Sequence, residues 1–520
     1  MRRISRSGLY SLFVAFAALS PIVSAADPSP DTATIARLID EAIQKRLDSE
    51  KVSASPSASD AEFLRRVYLD VAGVIPSADR VAAFLDSKES NKRNELIEAL
   101  LASPEYARRM TDIWKALLIP NTAASARQKH EPMVQWLEAS FTANKRLDIL
   151  AREVLSANGL QDENGAVTFF ITHETVDEIT DRVARVFLGV QIQCAQCHKH
   201  PFGDWTQAEY WGMAAFFTKV KSVYVKTGDT QRYGAKEDAT FKSKPLLMLP
   251  ASVKATPPTF LRGDRPKVSA DGPNLPVLAD WITSPKNPYF ARAAVNRVWH
   301  QFFGRALVSP VDDMTEANEA SHPELLAALA REFSASGFDL KQLIRGICHS
   351  KAYQRTSKPG GSNAADKTLL SHMAVKVMTP FQMNDSLEAV FALAINEKTP
   401  PPTAATRKTK AGERGRFATF FMGEDDPDPT EFQAGIPQAL YLMNSGHHYA
   451  IARAANETVS RKKTPEKVVE TMFLATLTRP PTDKESTTML THIAKATDKR
   501  AAYHDILWAL VNSTEFLSNH

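Results

Sequence analysis

Cysteine is nearly absent from this chain: three residues in 520, at positions 194, 197 and 348. Three thiols make no disulfide framework, so stability has to come from apolar packing. Glycine is sparse as well, at 21 residues, which excludes glycine-rich repeats and collagen-like periodicity. No apolar run beyond the first 25 residues is long enough to span a bilayer, since charge interrupts each of them. A large charge of either sign is also missing. The formal net charge is +4, and loss of residues 1–25, which carry three arginines and no acid, lowers it to +1. A chain so balanced has no bulk electrostatic attraction for nucleic acid or anionic lipid. No glycine-rich phosphate loop and no G-x-S-x-G elbow occurs.

What is present begins at the N-terminus. Arg2, Arg3 and Arg6 precede an apolar stretch from Gly8 to Leu19, followed by the small-residue sequence Val23-Ser24-Ala25. That layout predicts a signal peptide over 1–25 and an extracytoplasmic location, periplasmic or secreted. The composition beyond it is that of an ordinary globular protein, 43% hydrophobic and 23% charged.

Apolar residues recur at helical spacing along most of the chain, for example Ile35, Leu38, Ile39, Ala42, Ile43 and Leu47. Helix-start signals are frequent: Ser77 or Asp79, the Ser103-Pro104 pair, and a capping box from Ser321 and Glu324. Residues 221–280 break this rhythm with Pro, Gly, Lys and Thr and short β-prone pieces such as KSVYVK. The expected fold is mainly α, with two helical lobes joined by an irregular, Pro/Gly-rich segment with minor β. The expected organisation is a helical domain over 26–220, the irregular segment over 221–280 and a second helical domain over 281–520. The basic stretch 400–417 reads as a loop.

Two of the three cysteines fall in Cys194-Ala195-Gln196-Cys197-His198. Cys-x-x-Cys-His is the attachment signature of haem c. Two thiols three residues apart share a face and reach two vinyl groups on one porphyrin edge. The adjoining His198 then becomes an axial iron ligand. Export and covalent capture suit one another, because an exported protein cannot replace a lost cofactor from the cytosol. Two alternatives remain open at this point. One is a structural disulfide; the other is a zinc site that uses Cys194, Cys197, His198 or His200, with ligands from elsewhere in the chain. A thioredoxin-like pair would need a βαβ setting. Met213 and His173 are candidates for a second axial ligand, and an open position is the other possibility.

The stretch ITDRVARVFLGVQIQCAQCHKHPFGDWTQAEYWGMAAFF, residues 179–217, resembles a planctomycete cytochrome-c-like domain family of unknown function. FLRRVYLDVAGVIPSADRVAAFL and SPEYARRMTDIWKALL extend the likeness upstream. LADWITSPKNPYFARAAVNRVWHQFFGRALVSPVDDM and SHPELLAALAREFSASGFDLKQLIRGICHSKAYQRTS resemble a companion planctomycete-specific domain, also of unknown function. The resemblance implies a haem c at Cys194, Cys197 and His198. It implies no reaction or substrate, and the redox or structural protein partner stays unknown.

Other constellations are weaker. Asn296, Arg297, Trp299, His300 and Arg305 read either as a pocket lining or as one helix with an apolar face. Glu424, Asp425, Asp426 and Asp428 lack the spacing of a calcium loop. The acids of VDDMTEANE, 311–319, form no arguable catalytic pair. Cys348 follows an apolar series and reads as a core thiol.

Overall fold

The structure is a computed structural model that describes residues 30–119, 129–173, 175–238, 256–268, 272–394, 404–422, 447–462 and 464–520. It is mainly helical with small sheets, as the apolar periodicity implies. Among the described residues no helix is long and apolar enough to cross a membrane.

The first helix, Pro30–Glu50, buries Ile35, Ile39, Ile43 and Leu47, one per turn, each at most 1% exposed. Caps fall where side-chain oxygens can meet orphan amides. Ser59, Ser77 and Ser103 each accept an N–H from the first turn of their helix, and Pro104 follows Ser103. The pairing of Ser321 with Glu324 does not form. His322 is the residue that precedes helix Pro323–Ala335, Ser321 bonds His322, and Glu324 faces Lys45 instead. Gly337 ends that region in the left-handed conformation.

Two helices share a device that the sequence did not advertise. Asp60–Val67 continues into a wider π turn, Tyr68–Ala72, and stops at left-handed Gly73. Val176–Val183 continues into Ala184–Leu188 and stops at left-handed Gly189. Single π turns are rare and concentrate near functional segments. The second one delivers the chain to the Cys-x-x-Cys-His loop.

The irregular segment holds a hairpin. β2 (Val220–Thr227) pairs antiparallel with β3 (Thr230–Glu237), and β1 (Gly159–Leu160) adds to the other edge of β3. β4 (Lys376–Val377) pairs with β5 (Ser518–Asn519).

Apolar packing divides the chain at a different place from residues 221–280. One core cluster runs from Ile35 to Met373, takes in Leu474 and Ala475, and mixes residues from both sides of the hairpin. The other gathers residues 378–516 together with Leu69 and Ile75. The basic stretch expected as a loop is helical over Ala404–Met422. Long-range contacts account for the difference. Phe417 and Phe421, one turn apart, are buried in the second core, and Arg414 forks onto Asp112 and Asp385 at 2.5–2.9 Å. The acidic cluster at 424–428 and residues 1–29 lie outside the described residues.

Adjacent Arg65 and Arg66 sit on Asp60–Val67 and are at most 1% exposed. Arg65 donates to the carbonyls of Thr476, Glu515, Phe516 and Ser518 and to the Thr478 hydroxyl. Arg66 donates to the carbonyls of Tyr353 and Arg355 and to Glu62. Burial pushes the Arg65 guanidinium down to about 10, still charged at neutral pH. Arg65→Ala strips five acceptors of their donor, three of them in fully buried bonds. We expect it to lower stability by about 3–5 kcal/mol in urea denaturation. Arg37→Ala, which breaks an exposed helix-surface pair with Glu41, should change stability by under about 0.5 kcal/mol.

Candidate functional site

A capping box from Thr175 and Glu178 starts the helix that leads to the cysteine motif. Its π turn presents Arg185, which grips Asp181 at 2.9 Å and Asp312 at 3.3 Å. Gly189 follows at φ 66°. A Cβ there would lie 2.5 Å from Met314 Cε and 2.9 Å from Ala293 Cβ, so both the conformation and the space call for glycine. The Gly189 carbonyl accepts the Met314 N–H at 2.8 Å. Gln191 donates to Asp312 at 2.8 Å. Val190 and Ile192, both fully buried, anchor the chain as it leaves the core.

The motif itself lies on a 3-10 turn, Gln193–Gln196, rather than an α-helical face. Cys194 lies within that turn and Cys197 follows it directly. Ala195 between them is fully buried and pins the turn. Both cysteines are exposed and unpaired. The next helix, Gln207–Ala214, opens with a capping box from Thr206 and Glu209. It holds the turn from behind: Gln207 Nε2 donates to the carbonyls of Gln196 and Cys197, and Trp211 Nε1 donates to that of Gln196.

The two histidines of the motif have opposite tautomers. His198 is exposed, and its Nδ1 lies 2.7 Å from the Lys199 carbonyl. A carbonyl only accepts, so Nδ1 carries the proton and Nε2 keeps its lone pair. A metal-binding imidazole is arranged in this way. His200 Nδ1 instead accepts the N–H groups of Gly203 at 2.7 Å and Phe202 at 3.3 Å. Its proton is therefore on Nε2, and the ring organises the turn from Pro201 to Asp204. As folded, His200 has no lone pair to give a zinc ion. Among the described residues no three His, Cys, Asp or Glu side chains converge in the manner of a metal site.

Beside the loop opens a cleft of about 1080 Å³ between Lys199–Trp205 and residues 288–323 of the later chain. Phe202 stands 84% exposed at its edge. Arg262, in the left-handed region at φ 47°, stacks over Trp205 at 4.5 Å and faces Glu316 at 3.5 Å. Met314 also lines the cleft. It sits inside VDDMTEANE, a stretch whose acids drew attention while its thioether did not. Nothing local marks it, because its approach to Gly189 is a contact between distant parts of the chain.

The two residues expected as second axial ligands are both interior. Met213 is fully buried in the main core. His173 is 4% exposed; its Nδ1–H donates to the Phe169 carbonyl at 2.8 Å, and Nε2 has no partner among the described residues. Asn296, fully buried, bonds the backbone of Val308 and Val311 and fixes the loop below the cleft. Trp299 stacks on Phe303 in the core at 4.0 Å. The helix carrying them therefore serves packing. Cys348 is fully buried, and burial pushes its thiol up.

Residues 38–222 match the family model PSCyt2, described as a protein of unknown function (DUF1549). Residues 276–493 match PSD1, likewise described as a protein of unknown function (DUF1553). The chain thus pairs two domains of unknown function. No curated protein and no solved structure matches it.

The buried imidazole carries a pH dependence. Burial pushes His173 down to about 4, so folding favours its neutral form. The unfolded chain binds the proton first, near 6.5, and stability falls as pH drops from about 6.5 to 4. His173 alone accounts for roughly 3 kcal/mol across that window; His130 and His520, also lowered to about 4 by burial, act in the same direction. Urea midpoints measured between pH 7 and 4 should fall less steeply in His173→Phe than in the parent protein; equal slopes would contradict this assignment.

Proposed function

We propose that this pairing of two domains is an exported c-type haem protein. Cys194 and Cys197 tether the porphyrin, His198 holds the iron from one side, and the role is electron transfer or haem-linked redox chemistry with a protein partner. The observation that carries the reading is one arrangement: two exposed, unpaired thiols on a single turn, followed by an exposed imidazole whose proton is held on Nδ1 by Lys199. This donor set fits the group. Each thiol has open access to a vinyl carbon, and the imidazole offers a free lone pair at Nε2. The likeness to a planctomycete cytochrome-c-like family rests on the same residues. The N-terminal signal pattern supports the reading, because an exported chain would meet haem-attachment machinery outside the cytoplasm.

The bound haem supplies one-electron redox chemistry. The chain's own residues do the rest. Ala195, Gln207 and Trp211 hold the turn so that the two thiols stay aligned, and the Lys199 carbonyl fixes the tautomer of His198. Because the motif is on the surface, water reaches the site. Exposure favours the more charged ferric state and lowers the reduction potential relative to an interior haem. A zinc site that used His200 would require its Nε2 proton to leave and its turn to break.

The test is chemical. The protein is produced with cytochrome-c maturation machinery, then denatured and extracted with acidified organic solvent. We expect haem absorbance to stay with the polypeptide, to fall at least tenfold in the Cys194→Ala, Cys197→Ala double variant, and to be unchanged in Cys348→Ala. His198→Ala should change the spectrum of any haem retained. Folded protein that retains no haem under these conditions would refute the reading.

A further inference from the structure

The cleft between Lys199–Trp205 and residues 288–323 has a wall built around one guanidinium, that of Arg262. This residue holds the left-handed conformation at φ 47°, which a residue with a Cβ keeps only where its surroundings compel it. Its side chain lies over the Trp205 indole at 4.5 Å and stays 36% exposed. The carboxylates around it all stand back: Glu316 at 3.5 Å, Glu209 at 3.9 Å and Asp204 at 4.0 Å. A settled charge-assisted pair is closer, as Arg414 shows with Asp112 at 2.5 Å. Asp204 is engaged with Lys199 at 3.1 Å, Glu209 caps its own helix through Thr206, and Glu316 is 87% exposed.

Two further donors line the same cleft. Tyr289 and Arg292 lie three residues apart where helix Phe290–Phe303 begins, a spacing that makes side chains neighbours. Arg292 is exposed and has no ion-pair partner among the described residues, and the Tyr289 hydroxyl has no hydrogen-bond partner among them. Burial pushes that hydroxyl up, Glu209 adds to the push, and Arg262 and Arg292 both oppose it, so each guanidinium acts on the same oxygen. At longer range the lining acids Asp204, Glu316 and Glu319 offset Lys199, Arg262 and Arg292. Selection of a ligand therefore falls to the three loosely held donors.

We propose that Arg262, Tyr289 and Arg292 form a receptor for the oxyanion head of a small organic ligand, a carboxylate, phosphate or sulfate, whose apolar body lies along the exposed Phe202 ring. A forked guanidinium matches the paired oxygens of such a head group. Glu316 is the internal competitor: it attends Arg262 in the free protein and gives way to the ligand. The site is separate from Cys194, Cys197 and His198 and needs no haem.

Isothermal titration calorimetry of the folded protein with benzoate, inorganic phosphate and inorganic sulfate tests this. At least one of the three should bind with a Kd of about 1 mM or tighter, and the one that binds best identifies the head group. Arg262→Gln and Arg292→Gln should each weaken that binding by about tenfold or more. Glu316→Gln should tighten it, an effect that a misfolded variant does not produce. Failure of all three anions to bind at about 10 mM, or binding that is unchanged in the Arg262→Gln, Arg292→Gln double variant, overturns the proposal.

Discussion

Arg65 and Arg66 are enclosed by protein, and each directs its guanidinium to a different part of the chain. Removing a charge from water costs several kcal/mol per ion unless partners replace the lost solvation. Here they do. Arg65 finds five acceptors between residues 476 and 518, and Arg66 finds two carbonyls at 353 and 355 plus the Glu62 carboxylate. Asp70, one π turn further on, receives Lys376 at 2.5 Å, Tyr353 at 2.9 Å and Asn519 at 2.7 Å. Burial pushes the Glu62 carboxyl up, but Arg66 and hydrogen bonds from Ser357 and Thr356 outweigh it and hold the group below its usual range. The geometry of this network is met only when the helix over 60–72, residues 353–376 and residues 476–519 are all in place.

That requirement explains why the two matched domains do not pack as two separate balls. The main core interleaves Ile35–Ala235 with Leu261–Met373 and borrows Leu474 and Ala475, and the second core borrows Leu69 and Ile75 from the N-terminal region. The Cys-x-x-Cys-His loop inherits the same interleaving. Its base is tied to Asp312 and Met314, its back to Gln207 and Trp211, and its flanking cleft is walled by residues 288–323. A surface loop so anchored presents its thiols and imidazole on rigid support, while the groups themselves stay open to a cofactor. The fold and the proposed chemistry meet at Gly189, where a left-handed turn leaves room for the later chain to approach.

Local physics made much of this legible in the sequence. Apolar spacing located the helices, because Ile35, Ile39, Ile43 and Leu47 have one face to bury. Ser103 with Pro104 marked a helix start, because a hydroxyl and a missing amide both relieve the first turn. The motif of Cys194, Cys197 and His198 stood out by residue type and spacing alone. What escaped was non-local. The helix over 404–422 depends on Arg414 meeting Asp112 and Asp385 and on Phe417 entering a core built elsewhere. The role of His200 depends on two backbone amides, which no spacing rule reveals. Ser321 bonds His322, which directly precedes the helix, and Glu324 faces Lys45 from far back in the chain. Met314 lay among acids and carried no pattern of its own.

The account stands or falls on a covalent bond between this chain and a haem. Intact mass spectrometry of the denatured protein, made with maturation machinery and digested in parallel, measures that bond directly. The account predicts a chain heavier by one haem, with the added mass confined to the peptide containing Cys194 to His198. A mass equal to that of the bare polypeptide, or to a chain with only a Cys194–Cys197 disulfide, would contradict it.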